Sequence, residues 1–351
     1  MSNKLPTTYL GMNLSSPIVV GACPLTIEPE KVRQMVDAGA GAIVLPSMLQ
    51  EQITYDLLKT THSTDAISMS GYQPQHDRYN GGTQNYLKTI RNLKTLCQVP
   101  IIGSLNGSST GPWLEYAIKM QDAGVDALEL NWQRRLSDPN ESCQAVETQL
   151  IELVCELSEH LAIPLAVKLT QQFTNLASIA HKLHAVGVAG LVLFAHRPHW
   201  DVSIDRMHWT TSWQLSPANS LGTILEGIVH VRTGGLGLSL AASGGVRTAE
   251  DAIKAMIVGA DIVMVTSEIY RQGPDAIHKI MLGLSHYLDT SHHESLMAFQ
   301  QSRPTVERTP EGLVRLDYVD PLTQAEQFID PTPHVSTSIG DAYGHPVEPQ
   351  S

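Results

Sequence analysis

The chain has 351 residues, 42% of them hydrophobic, and its 23 Lys+Arg against 35 Asp+Glu leave a formal charge of −12. That length can bury a sizeable core, and an acidic balance spread along the chain argues against nucleic acid or an anionic membrane as partner. The four cysteines (Cys23, Cys97, Cys143, Cys155) form no CxxC pair, which argues against an iron–sulfur cluster or structural zinc held by this chain alone and for a reducing, cytoplasmic compartment.

The N-terminal MSNKLPTTYLGMNLSSP lacks the continuous apolar run of a secretory signal, and no segment reaches membrane-spanning length. Strands are then expected at 17–22 (PIVVGA), 42–47 (AIVLPS), 100–106 (PIIGSLN), 126–131 (DALELN), 164–170 (PLAVKLT), 190–195 (GLVLFA), 238–243 (LSLAAS) and 261–267 (DIVMVTS). They are apolar on nearly every residue, as in a parallel sheet covered on both faces. Four of them are preceded by one pattern, seen in DAGAGAIVL (37–45), DAGVDALEL (122–130), AVGVAGLVL (185–193) and IVGADIVMV (257–265). Each reads as a helix end, a glycine stop and a strand. Between strands the pattern turns helical: Val146, Leu150, Leu153, Val154, Leu157 and Leu161 form one stripe, and Thr248 with Asp251 has capping-box spacing.

Eight βα units predict an α/β chain folded as a (β/α)8 TIM barrel, with a doubly wound open sheet as the alternative. Insertions follow the second strand (48–83) and the sixth (196–217), on the face where such barrels place their active sites. The barrel is assigned to residues 1–302. Residues 303–351, rich in Pro, Thr, Asp and Ser, are read as a poorly ordered extension.

Strand alternation selects the residues that face the barrel mouth. Leu165, Val167 and Leu169 suit the helix side, which turns Lys168 inward. The same rule turns Ser104, Asn106, Glu129 and Asn131 inward. A buried lysine calls for an anion. Ser243-Gly244-Gly245 after the seventh strand, with Thr266 and Ser267 ending the eighth, suggest a phosphate grip. Grip and lysine together suggest FMN, the lysine stabilising negative charge on the reduced flavin. An aldolase or isomerase would use the same barrel, with Lys168 as Schiff-base nucleophile. A non-catalytic barrel subunit is a third reading.

The blocks YLGMNLSSPIVVGACP, SLNG, ALELN, AVKL, ASGGVRTAEDAIKAMIVGADIVMVTSEIYRQGP and ESLMAFQQS, in this order over about residues 7–302, resemble the dihydroorotate dehydrogenase family of FMN-containing barrels. The resemblance implies an oxidoreductase acting on CH–CH groups in pyrimidine biosynthesis. It implies that Gly21 and Ala22 lie against the flavin, that Ser47, Asn106, Asn131 and Lys168 bond its ring or ribityl chain, and that Ser243, Gly244, Gly245, Thr266 and Ser267 hold its phosphate. The departures fall on the substrate side. Where the family carries a Cys- or Ser-containing turn with the base, this chain has Asn131-Trp132-Gln133-Arg134, with Ser137 further on. The family's strand-two lysine falls on Pro46, and Asn80 is the one asparagine offered by the first insertion.

Arg134 stays protonated and cannot be a base. It either grips a substrate carboxylate beside Asn131 or lies on the surface. Ser137 and His196 are the candidates for proton transfer. His196, His199 and His208 lack a partner carboxylate at metal-site spacing, so no metal is expected, and Cys23 is read as a small core residue. The partners implied are a small cyclic-amide or carboxylate substrate, an unidentified electron donor or acceptor, and a second copy of the chain in a homo-oligomer. Dihydroorotate oxidation itself is not expected, for want of a base.

Overall fold

The computed structural model describes residues 4–60, 74–109, 111, 113–134, 138–217 and 219–304. The chain opens with a hairpin, β1 (Thr7–Tyr9) and β2 (Met12–Leu14), then enters β3 (Ile18–Val20), α1 (Pro29–Asp37), β4 (Ala42–Val44), β5 (Met48–Leu49) and α2 (Gln50–Thr60). There follow α3 (Gly82–Leu96), β6 (Ile101–Asn106), α4 (Trp113–Ala123), β7 (Ala127–Asn131), α5 (Cys143–His160), β8 (Leu165–Leu169), α6 (Leu176–Ala185) and β9 (Gly190–Leu193). A second hairpin, β10 (His199–Ser203) and β11 (His208–Ser212), precedes α7 (Leu221–Arg232), β12 (Ser239–Ser243), α8 (Ala249–Ile257) and β13 (Ile262–Val265). Three helices close the described chain: α9 (Ser267–Gln272), α10 (Asp275–Thr290) and α11 (Leu296–Gln301).

Parallel pairing runs β3–β4–β6–β7–β8–β9–β12–β13 and returns to β3 through Val263↔Ile18 and Val265↔Val20. The sheet is therefore a closed eight-stranded barrel, and the open-sheet alternative falls. The repeated motif has a physical basis. Gly39, Gly124, Gly187 and Gly259 all take positive φ, between 94° and 125°, at the helix ends. The aspartate opening two of the strands reaches across to its neighbour. Asp126 accepts from Ile101 N and Asp261 from Leu240 N, and each also pairs with a cation from the helix that leads into that neighbouring strand, Lys94 of α3 or Arg232 of α7.

Two cores result. Between strands and helices lie Ile43, Leu128, Leu130, Val167, Leu191 and Val263. Inside the barrel lie Val19, Ala42, Val44, Ile102, Ala127, Ala166, Val192, Ala241, Ile262 and Met264. Many of the inner residues are small, and the first hairpin fills the space they leave with Tyr9, Leu10 and Leu14. Leu10 N donates to Ser239 Oγ at 3.0 Å, tying this plug to β12. Each such buried side chain contributes about 1.5–3 kcal/mol.

The second strand breaks where the sequence has Pro46. Val44 pairs with Ile102 and Met48 with Leu105, so four steps on this strand meet three on β6. The extra residue is a bulge, the position a strand offers a proline that cannot donate to the ladder. Its effect is to aim Ser47 at Ser104, Oγ to Oγ 2.8 Å. The first insertion contributes α2, and residues 61–73 of it lie outside the described residues. The second insertion forms the exposed β10–β11 ribbon rather than an irregular loop. Arg303 still pairs with Asp261 at 3.2 Å, and the tail from Thr305 on lies outside the described residues. Among the described residues no helix is long and apolar enough to cross a membrane.

Candidate active site

A cavity of about 580 Å³ opens at the C-terminal ends of the strands. Gly21, Ala22, Ser47, Asn106, Asn131, Lys168, Ser243, Gly244, Gly245, Thr266 and Ser267 all line it. Seven strands supply this set. The inward alternation expected along β6, β7 and β8 therefore converges on one space.

One end of the cavity is rich in hydrogen-bonding side chains. Lys168 Nζ lies 3.2 Å from Glu129 Oε1, the lysine side chain 9% exposed and the glutamate 1%. Ser47 Oγ, besides meeting Ser104, accepts from Asn131 Nδ2 at 3.4 Å. Asn131 Oδ1 in turn accepts from Gln133 Nε2 at 3.4 Å, and Gln133 reaches on to the His196 carbonyl at 3.3 Å. An arc of amides and hydroxyls thus crosses the mouth from β5 to the end of β9.

The other end lies at the loops after β12 and β13. Gly244 and Gly245 take φ of 105° and 71°, and a Cβ on Gly245 would fall 2.7 Å from Leu221 N, so only glycine fits. These glycines precede α8 by a short loop, and α8 caps itself: Thr248 Oγ1 accepts from Asp251 N while Asp251 accepts from Thr248 N. The candidate grip is therefore a glycine loop in its own right. Ser267 Oγ accepts from Ser216 N at 3.0 Å, which draws the chain after the ribbon against it. Arg247 and Arg271 also line this end, both paired with the buried Glu268 at 3.3 and 3.1 Å.

His196 lines the cavity, with Nε2 2.6 Å from the Gln214 carbonyl and its ring edge-on to Trp213, centroids 4.7 Å apart. Cys23, read as a core residue, is buried and also forms part of the wall. Burial pushes its thiol up, and Tyr270 hydrogen-bonds it. Burial likewise raises the Tyr79 phenol to about 12, with the Ser47 backbone N–H bonded to its oxygen. Tyr79, Gln133, Trp213, Tyr270, Arg247 and Arg271 were not singled out in the sequence. Gln133, Trp213 and Arg247 sit on loops, Tyr79 ends a 3-10 turn and Tyr270 and Arg271 belong to the short α9, so period-2 alternation gives none of them an orientation.

Arg134 is not brought to the cavity. It pairs with Glu141 at 2.8 Å and hydrogen-bonds Gln149 on α5. Asn80 is buried behind the wall, exchanging amide hydrogen bonds with Gln52 and donating to the Ser47 carbonyl at 2.9 Å. His199 opens β10 and His208 opens β11 at opposite ends of the ribbon, where they face Ser212 and Ser203 across it. Among the described residues no group of His, Cys, Asp or Glu could hold a metal. Ser137 lies outside the described residues.

Residues 4–288 match the sequence model of dihydroorotate dehydrogenase. The catalytic subunit of dihydroorotate dehydrogenase B (NAD(+)) from Thermoplasma acidophilum is 23% identical over 299 residues, covering 83% of this chain and 96% of that protein. The corresponding subunit of Thermoplasma volcanium is 23% identical over 310 residues, 84% of this chain and 96% of its own. The NAD-dependent dihydropyrimidine dehydrogenase subunit PreA of Escherichia coli is 22% identical over 319 residues, 84% of this chain and 76% of that one. A closed parallel barrel, a mouth lined from seven strands and a match across most of the chain agree: the chain belongs to the dihydroorotate dehydrogenase family, flavin oxidoreductases that act on CH–CH groups.

Proposed function

We propose that this chain holds FMN and moves hydride between it and a small, uncharged cyclic amide. The observation that carries the reading is one cavity with a hydrogen-bonding arc at one end and a glycine loop with hydroxyls at the other. The residues present fit FMN. The Lys168 ammonium makes one hydrogen bond among the described residues, leaving N–H donors for a ligand. The wall at Gly21 has no room for a side chain, since a Cβ there would lie 2.6 Å from Thr266 Oγ1. A flat ring can meet bare backbone at such a wall. Gly244, Gly245, Thr266 and Ser267 would hold the phosphate, and Arg247 and Arg271 add positive charge nearby.

Bound FMN supplies the two-electron acceptor or donor for hydride. This chain's own residues do the rest. Asn106, Asn131 and Gln133 offer amide donors and acceptors complementary to a cyclic amide. His196 moves the proton. Its Nε2 faces a carbonyl, which can only accept, so Nε2 carries the hydrogen and Nδ1 of the neutral ring is the free base.

The engagement of the lining cations, by carboxylates and by the phosphate, supports an uncharged substrate over a carboxylate. Among the described residues lining the cavity, Lys168 is paired with Glu129, and Arg247 and Arg271 with Glu268. The related PreA is named for dihydropyrimidines, a class that includes uncharged cyclic amides such as dihydrouracil. The test is an absorption spectrum of the purified protein followed by anaerobic addition of dihydroorotate or dihydrouracil. Flavin bands that bleach with dihydrouracil and not with dihydroorotate are expected. A protein that neither contains nor takes up flavin overturns the cofactor assignment, and rapid bleaching by dihydroorotate overturns the uncharged substrate.

A further inference from the structure

Glu129 projects into the barrel from the middle of β7, level with Ser104 and Ala166 on the neighbouring strands. Its Oε1 meets Lys168 at 3.2 Å, and its Oε2 is buried with no hydrogen-bond partner. The inner core it enters is apolar, with Ala127, Ala166, Val192 and Ala241 among its members, and it includes Tyr9 of the plug, whose buried hydroxyl also lacks a partner. Lys168 lines the cavity and Glu129 does not.

A carboxylate in such surroundings is costly, and a buried ion pair is often no more stable than apolar residues of the same volume. Stability therefore gives no reason for the pair. Its geometry does: Glu129 stands behind Lys168, on the side away from the ligand. We infer that Glu129 is a positioning residue that holds the Lys168 ammonium at the cavity wall and offsets part of its charge, so setting how strongly the site favours a negatively charged reduced flavin. The inference rests on the FMN reading above.

Glu129→Gln keeps an oxygen that can accept from Lys168 and removes the negative charge. The ammonium then acts unopposed, and the midpoint potential of the bound flavin rises at fixed pH. A tenfold or larger shift of the reduction equilibrium is expected, about 30 mV per tenfold for two electrons. The double variant Glu129→Gln/Lys168→Met removes both charges and leaves no lone buried ion. Its potential should return to the wild-type value or below.

The experiment measures the potentials of wild type, the single variant and the double variant, beside crystal structures of Glu129→Gln and Glu129→Ala. Lys168 should stay in place with Gln and move with Ala. An unchanged potential in Glu129→Gln, an equal rise in the double variant, or an unmoved Lys168 in Glu129→Ala each overturns the inference. A merely structural role would lower melting temperature without moving the potential. Failure of wild type to take up flavin sinks the FMN reading instead, and the two crystal structures then still decide whether Glu129 positions Lys168.

Discussion

His196 is fixed from two sides, by the Gln214 carbonyl at 2.6 Å and by the edge-on Trp213 ring. A residue that shuttles a proton needs such orientation, because transfer depends on one nitrogen facing the substrate. His196→Asn retains a polar side chain without a titrating group. Turnover of the reactive substrate should fall about 10²- to 10⁴-fold while flavin content and its spectrum stay unchanged. Stopped-flow reduction read beside the flavin-to-protein ratio checks this, and an unchanged rate would move the proton transfer to another group. The sequence revealed the inward residues because strand periodicity assigns a face to each position. Lys168 and Asn131 follow from apolar neighbours one residue away. Tyr79 and Gln133 do not, since a short 3-10 turn and a loop carry no strand period. Arg134 shows the converse: a charge beside a strand end suggested a ligand contact, yet Glu141 and Gln149 already hold it.

At the scale of elements, strands and helices were legible because each carries its own pattern, and the devices joining them were less so. The first hairpin plugs the barrel floor, although its signal was present: TTYLGMNL alternates and turns at Leu10-Gly11, both at positive φ (52° and 76°). The β10–β11 ribbon was similarly masked, its two strands hidden in a stretch read only as an insertion. The short α9 joins the site to the scaffold through one carboxylate. Burial alone would raise Glu268, but hydrogen bonds from Gln272 and Arg271 and the charges of Arg247 and Arg271 outweigh it and hold it below its ordinary value of 4.5. A depressed folded value means that the contribution is complete above the ordinary value and is lost as pH falls through the folded one. Glu268→Gln should therefore melt lower than wild type near neutrality, and the gap should close as pH falls below about 4.5. Melting curves across pH test this, and a gap that persists undiminished at acid pH would show that packing, not charge, makes the difference.

For the whole molecule, the inner core, the floor plug and the mouth are contributed by strands distant in sequence and adjacent in space. A ligand spanning the cavity from Lys168 on β8 to Gly245 and Thr266 beyond β12 and β13 would tie those strands together. Any ligand that binds only the folded chain stabilises it in proportion to the logarithm of its concentration over Kd. At a hundredfold excess over Kd this amounts to about 2.7 kcal/mol. For chains of about 150–250 residues each kcal/mol raises Tm by about 2–4 °C, and by less in a longer chain. FMN added to flavin-free protein should therefore raise Tm by several degrees. Riboflavin has the same ring and no phosphate, so it makes the contacts at Lys168, Asn106 and Asn131 but not those at the glycine loop. If Gly244, Gly245, Thr266 and Ser267 hold phosphate, riboflavin at the same concentration gives little or no rise. Gly245→Ala should then remove most of the FMN response, because its Cβ would press on Leu221 at 2.7 Å and distort the loop. Equal rises with FMN and riboflavin would assign recognition to the ring end alone and leave the glycine loop without a ligand.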